Sequence, residues 1–381
     1  MNPRFTIDGS DALEQHLAQV CEQVRDGVRR LVPRGRLDGL LLGGGYGRGE
    51  GGVLATSAGD QPYNDLEFFV FVRGQALLAE RMFRQPLHQL GERLTPSAGV
   101  EVEFKVLTLD KFRRRGPTMF YYDLMMGHRW LKGDDSLFTG CDRHRDASLL
   151  PQHETLRLLM NRCSGLLYSK ERLQRLHFGA DDADFVGRNL AKAQLAFGDV
   201  ILAAHGQYHW SCRERSRRLS VLTSDAAPAL ARLREHHALG VAFKLRPVRS
   251  QESQQALAAR HAELTELGAT LWCWLEARRL GRHFANTRDY AVSPDDKCPE
   301  TARWRNRLVN LRTFRSNGIA GERSHRYPRQ RLLHALCLLL WESDPIADEA
   351  SAHQLSEELN TDATDFPGFV AAYHRLWSRF N

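Results

Sequence analysis

Two acidic patterns in the first third of the chain have the residue types and spacing for chemistry: Asp65-Leu66-Glu67 and Val100-Glu101-Val102-Glu103. Side chains two apart on a strand project from the same face. Setting like charges side by side there is unfavourable unless a cation neutralises them. A hard divalent ion, Mg²⁺ or Mn²⁺, takes oxygen ligands of this kind. Asp65 and Glu67 would supply two ligands, and Glu103 or Glu101 on a neighbouring strand the third. Those two glutamates share one strand face, so the pattern leaves the choice between them open, with a slight lean to Glu103. Such a centre holds the attacking and leaving oxygens of a phosphoryl or nucleotidyl displacement. Just upstream lies the run Gly43-Gly44-Gly45-Tyr46-Gly47-Arg48-Gly49-Glu50. Its glycines let backbone N–H groups approach phosphate oxygens, and Arg48 has the charge to pair with a β- or γ-phosphate.

Each pattern also has an ordinary explanation. A glycine-rich run is usually a turn, D-x-E on a strand is usually a solvated face, and Glu101 with Glu103 can be an edge-strand charge pair. Gly47-x-Gly49-x-x-Gly52 fits the dinucleotide fingerprint, but no helical segment directly follows it. No G-x-x-x-x-G-K-[ST] occurs, which excludes a P-loop. The order of the three patterns, each attached to a strand, is what favours the chemical reading.

The elements that must position these residues follow from periodicity. Residues 10–32 read as an amphipathic helix with Ser10 as N-cap. Residues 40–42 open a short apolar strand that runs into the glycines, and a loop is expected over 50–62. Residues 66–72 form the next strand and 75–94 a helix. Residues 100–107 alternate, with Val100, Val102, Phe104 and Val106 on one face and Glu101, Glu103 and Lys105 on the other. Beyond residue 150 helical patterns dominate, at 153–168, 185–205, 253–280, 302–315 and 329–341. The fold expected is therefore α+β: a catalytic domain over 1–145, with a short mixed sheet flanked by helices, then an all-α domain over 150–381.

The ordered set Leu42, Gly44-Gly45, Asp65-Leu66-Glu67, then Glu101 or Glu103, resembles the nucleotidyltransferase superfamily with a DNA polymerase β-like catalytic domain. The segment after the glycine pair, Tyr46 to Glu50, looks like the Arg-Gly-Glu of its minimal and antibiotic-modifying members. The likeness covers about residues 37–135 and is greatest to bacterial aminoglycoside nucleotidyltransferases of the kanamycin type. It implies an NTP-dependent, Mg²⁺-dependent enzyme, with ATP the first nucleotide to test. That enzyme would transfer a nucleoside monophosphate to a hydroxyl on a small molecule, protein or RNA and release pyrophosphate. It also implies Asp65, Glu67 and Glu103 as metal ligands, the third acid as general base, and Gly44, Gly45 and Arg48 at the triphosphate. Two departures stand out: Gly45 replaces a commoner Ser, and 19 residues separate Gly45 from Asp65, so an insertion is expected. They motivate the alternative of a degenerate nucleotide-binding or regulatory protein.

In the helical half, Asn189, Lys192 and Asp199 fall on one helix stripe. That stripe is either a solvent face or a cleft wall with Lys192 near the phosphates. Residues 301–331 hold nine arginines and one acid, interleaved with Trp304, Leu308, Leu311 and Phe314. They form a solvated amphipathic helix or bind RNA or an acidic partner. The whole chain carries a net charge of +7, and residues 1–150 balance 20 basic against 20 acidic side chains, so the surplus lies beyond residue 150. His128 has no metal-spaced partner and reads as structural. Seven scattered cysteines, no apolar leader and no apolar run long enough to span a bilayer lead to the expectation of a cytoplasmic protein without a membrane segment.

Overall fold

The structure is a computed structural model that describes residues 4–315 and 322–381, Glu322 and Arg323 by backbone alone. The chain forms two compact units. The first comprises Met1–Pro151, His205–Val221 and Ala238–Val248; the second comprises Gln152–Ala204, Leu222–His237 and Arg249–Asn381. Two segments from the helical half of the sequence therefore belong to the first unit.

In the first unit the elements run Asp11–Leu31 (α1), Leu37–Leu42 (β1), Gly44–Gly47 (α2), Val53–Thr56 (β2), Gly59–Pro62 (β3) and Leu66–Val72 (β4). Then come Ala76–Ala98 (α3), Val102–Leu107 (β5), Leu109–Arg114 (α4), Met119–Met126 (α5) and Arg129–Lys132 (β6). Ser10 caps α1 by accepting from the Leu13 N–H, and Leu13, Leu17, Val20, Val24 and Val28 form its buried stripe. The four-stranded sheet has the order β5-β4-β1-β6. Strands β4 and β5 are parallel and the other pairs antiparallel. The parallel pair needs a crossover, which α3 supplies before it stops at Gly99 with φ +75°.

Both faces of the sheet are covered, which is why β1 and β4 read as continuous apolar runs. Leu40, Leu42, Phe68 and Val70 pack with the α1 and α3 side chains. Leu41, Phe69 and Phe71 pack on the opposite face with Phe112, Tyr121, Leu124 and Phe138. The loop expected over 50–62 is instead a two-stranded hairpin, with Val53 opposite Pro62 and Thr56 opposite Gly59. The Tyr46 hydroxyl donates to the Gly52 carbonyl at 2.7 Å and accepts from the Tyr63 N–H at 2.9 Å. It thus fastens both ends of the hairpin and lets the inserted residues return the chain to the carboxylate strand.

The remaining helices are Gln152–Leu173 (α6), Ala180–Ala204 (α7), Cys212–Ser220 (α8), Leu230–Leu245 (α9), Gln254–Leu280 (α10) and Thr287–Val292 (α11). They are followed by Arg303–Phe314 (α12), Arg329–Trp341 (α13), Glu349–Leu359 (α14) and Phe366–Phe380 (α15). Helix α13 is the core of the second unit: every residue from Gln330 to Leu340 is buried. The molecule is α+β, and among the described residues no helix is long and apolar enough to cross a membrane.

Candidate functional site

The carboxylates meet because of strand register. In the parallel β4–β5 pair Glu67 lies opposite Glu103, and Asp65 precedes β4 by one residue on the Glu67 face. The Leu66 N–H donates to the Glu101 carbonyl at 2.8 Å and closes this end of the ladder. One oxygen each from Asp65, Glu67 and Glu103 falls within a 4.8 Å sphere of mutual distance, the only such acidic or metal-ligating group among the described residues. Three carboxylates at this spacing form a donor set of the hard-oxygen type that suits Mg²⁺ or Mn²⁺. Glu101 is exposed at the entry to β5 and lies outside the group.

One cation of the chain itself enters the cluster. Lys105 Nζ lies 2.7 Å from Glu67 Oε1 and 3.8 Å from Glu103 Oε2. It also sits 5.6 Å from the Phe69 ring centroid and 6.0 Å from that of Phe120. Burial pushes the Glu103 carboxyl above its usual value; Lys105 opposes this, and the charges of Asp65, Glu101 and Glu67 reinforce it. Burial works to lower the Lys105 ammonium, but Glu67, Glu103 and Asp65 outweigh it, and the net shift is upward.

The glycine turn abuts this cluster. The Gly43 N–H donates to the Glu67 carbonyl at 2.9 Å. Gly44 has φ +60°, so the backbone calls for glycine, and a Cβ there would stand 2.8 Å from Glu67 Oε2. At Gly45 a Cβ would stand 3.0 Å from the Glu50 carbonyl oxygen. A serine would crowd this turn, which accounts for the missing hydroxyl in structural terms.

The end of the turn is tied to distant segments of the same unit. Arg48 is mostly buried and pairs with Asp123 at 3.3 Å. Asp123 also accepts from the Tyr208 hydroxyl at 3.3 Å. Glu50 is buried, and its carboxylate accepts from Ser211 Oγ at 2.5 Å and from the Cys212 N–H at 2.8 Å, at the start of α8. Burial would raise the Glu50 pKa, but these hydrogen bonds, with Arg215 nearby, bring it below the usual carboxylate value.

The last turn of α9 lies against the same region. Arg246 pairs with Asp8 at 3.0 Å and Asp60 at 3.3 Å, and Phe243 meets the Tyr63 ring edge-on at 6.0 Å. A Cβ at Gly52 would stand 3.2 Å from the Lys244 carbonyl. These contacts hold Lys244 beside Arg48. Burial lowers its pKa to about 8, the Arg48 and Arg215 charges add to the effect, and Cys212 and Glu50 oppose it.

The stripe expected on the long helix 185–205 splits. Asp199 is buried and its carboxylate meets His237 Nε2 at 3.1 Å. Asn189 donates back to the Phe185 carbonyl at 2.9 Å. Lys192 alone of the three is exposed, on α7 of the second unit. His128 is held between the Leu124 carbonyl and Asp135, at 2.8 Å and 3.3 Å. Of the basic stretch 301–331, residues 316–321 lie outside the described residues. In α12, Arg303, Arg305, Arg307 and Arg312 are exposed with Trp304, Leu308 and Leu311. Asn306 and Asn310 face inward, their amides donating to the carbonyls of Ser324, His325 and Arg326.

Compared with known proteins, the chain matches no family model and no curated relative. Sequence reasoning placed Lys105 on the acidic face of its strand but gave it no role. It placed Glu50 in the Arg-Gly-Glu segment but gave it no partner, and it did not reach Lys244 or Ser211, because nothing local joins the glycine turn to residues far along the chain.

Proposed function

We infer that this protein is a metal-dependent nucleotidyltransferase. It moves a nucleoside monophosphate from an NTP to a hydroxyl-bearing acceptor. The acceptor oxygen forms a bond to the α-phosphorus, the bond to the β-phosphate oxygen breaks, and pyrophosphate leaves. The observation that carries this reading is the convergence of Asp65, Glu67 and Glu103 beside Gly44.

Asp65, Glu67 and Glu103 would hold Mg²⁺, which when bound would neutralise charge on the phosphates and polarise the reacting oxygens. Glu103 would either complete the metal site or accept the proton of the acceptor hydroxyl. Gly44 and Gly45 leave backbone, not side chain, against the triphosphate. Arg48 and Lys244 place positive charge behind the turn, where Arg48 also fixes its geometry through Asp123. The acceptor class stays open among small-molecule hydroxyls, protein side chains and RNA 3′ ends.

The test is incubation with labelled NTPs, ATP first, and Mg²⁺ against an acceptor panel, with pyrophosphate release as the readout. Asp65→Ala and Glu67→Ala are each expected to lower turnover at least ~1,000-fold, equivalent to several kcal/mol of transition-state stabilisation. Turnover that persists in the double variant would overturn the mechanism. Nucleotide binding by calorimetry without turnover on any acceptor would leave a nucleotide-binding protein on the same scaffold.

A further inference from the structure

The metal reading makes Lys105 a problem. Lys105 Nζ lies 2.7 Å from Glu67 Oε1 and 3.8 Å from Glu103 Oε2, so the chain's own ammonium already lies beside two of the three acids that would hold a metal ion. Lysine is a compact point charge on a flexible four-carbon stem. The side chain is 43% exposed, so the ammonium has room to move, and in its present position it already lies over the Phe69 and Phe120 rings.

We propose that Lys105 is a resident cation that neutralises Glu67 and Glu103 and must move away from them when a divalent ion binds. This inference rests on reading the carboxylates as a cation site. One ammonium set against three carboxylates weakens the pull of the site on a bare metal ion. A metal ion arriving with a triphosphate brings the negative charge that makes room for both cations. Lys105 thereby couples metal loading to nucleotide loading and holds the centre closed to free ions.

The experiment is Mn²⁺ binding by the full chain, followed by the electron paramagnetic resonance signal of free Mn²⁺, with and without ATP, the ATP arm read against a protein-free Mn²⁺–ATP control because ATP itself chelates Mn²⁺. The wild type is expected to bind Mn²⁺ weakly alone and markedly more tightly with ATP. Lys105→Met should tighten binding of Mn²⁺ alone roughly tenfold, the order expected for removing one charge a few ångströms away at a half-exposed site. It should also narrow the difference that ATP makes. Lys105→Arg, which keeps the charge, should stay near wild type. Lys105→Gln serves as a second neutral variant, with circular dichroism melting as the check on folding.

If Lys105→Met and Lys105→Gln bind Mn²⁺ no better than wild type, while wild type binds it with ATP, the resident-cation role is wrong. Lys105 then merely fastens Glu67. If no variant binds Mn²⁺ with or without ATP, the metal reading of the carboxylates falls, and the proposed function with it.

Discussion

The acidic and the basic sides of the glycine turn are built in opposite ways. Asp65, Glu67 and Glu103 stand at the ends of two paired strands, partly exposed, with Lys105 as the cation beside them. Arg48, Glu50 and Lys244 sit behind the turn among partners supplied by α5, α8 and α9, and Arg48 and Glu50 are largely buried. Register of the parallel pair sets Glu67 opposite Glu103. The residues behind the turn already serve the fold. A motif that reads as one unit in sequence is thus divided between a partly exposed acidic cluster and a buried scaffold.

Substitutions on the two sides should therefore fail differently, and the largest effect on stability is expected at Glu50. Removing its carboxylate strands Ser211 Oγ and the Cys212 N–H and takes away a negative charge near Arg215. Glu50→Ala should cost about 3 kcal/mol in urea unfolding. Because the folded pKa is lowered, the contribution of Glu50 is fully present above the ordinary glutamate pKa and is lost as pH falls through the folded value. An acid-unfolding midpoint that does not move in Glu50→Gln would break the distinction between the two sides.

Lys244 should show the opposite sign. Its folded pKa of about 8 lies below the ordinary lysine value. The unfolded chain therefore binds the extra proton between those values, and stability rises with pH across that window. Below about pH 8 the partly desolvated charge is a cost, so Lys244→Met should stabilise the protein at pH 7 by about 1 kcal/mol. The same variant should weaken ATP binding, and wild-type ATP affinity should fall as pH rises through about 8. A loss of stability with unchanged nucleotide affinity would assign Lys244 to construction alone.

The smallest effect on stability is expected from the exposed cations of α12, which lack the burial that defines the region behind the turn. Arg303, Arg307 and Arg312 changed together to Gln should alter the melting temperature little, since surface changes usually stay within about 0.5 kcal/mol. If this face contacts single-stranded RNA, the slope of log affinity against log salt should flatten by roughly two units. No RNA binding at low salt would remove RNA from the acceptor classes.

Local pattern accounted for much of the sheet unit. The stripe of α1, the apolar runs of β1 and β4, and the alternation of β5 follow from periods of 3.6 and 2.0 that any short window displays. The hairpin of β2 and β3 shows no strand pattern in the sequence, because its ends are fixed by the Tyr46 hydroxyl, a contact no periodicity reports. Helix α3 runs to Ala98, past Pro86 and Pro96, because packing of Phe83, Leu87 and Leu90 overrides local helix propensity.

By itself the sequence determined which side chains share a strand face, where the chain must turn through glycine, and that carboxylates and glycines follow one another in order. Those are short-range properties of backbone geometry. The tertiary structure alone decided that Glu103, not Glu101, stands with Asp65 and Glu67, because that depends on the register of two parallel strands joined through a helix. It also decided that Glu50 closes on a hydroxyl 161 residues away and that Lys105 turns toward Glu67. Such pairings are set by which surfaces bury one another, a free-energy balance over the whole folded unit that no stretch of neighbouring residues contains.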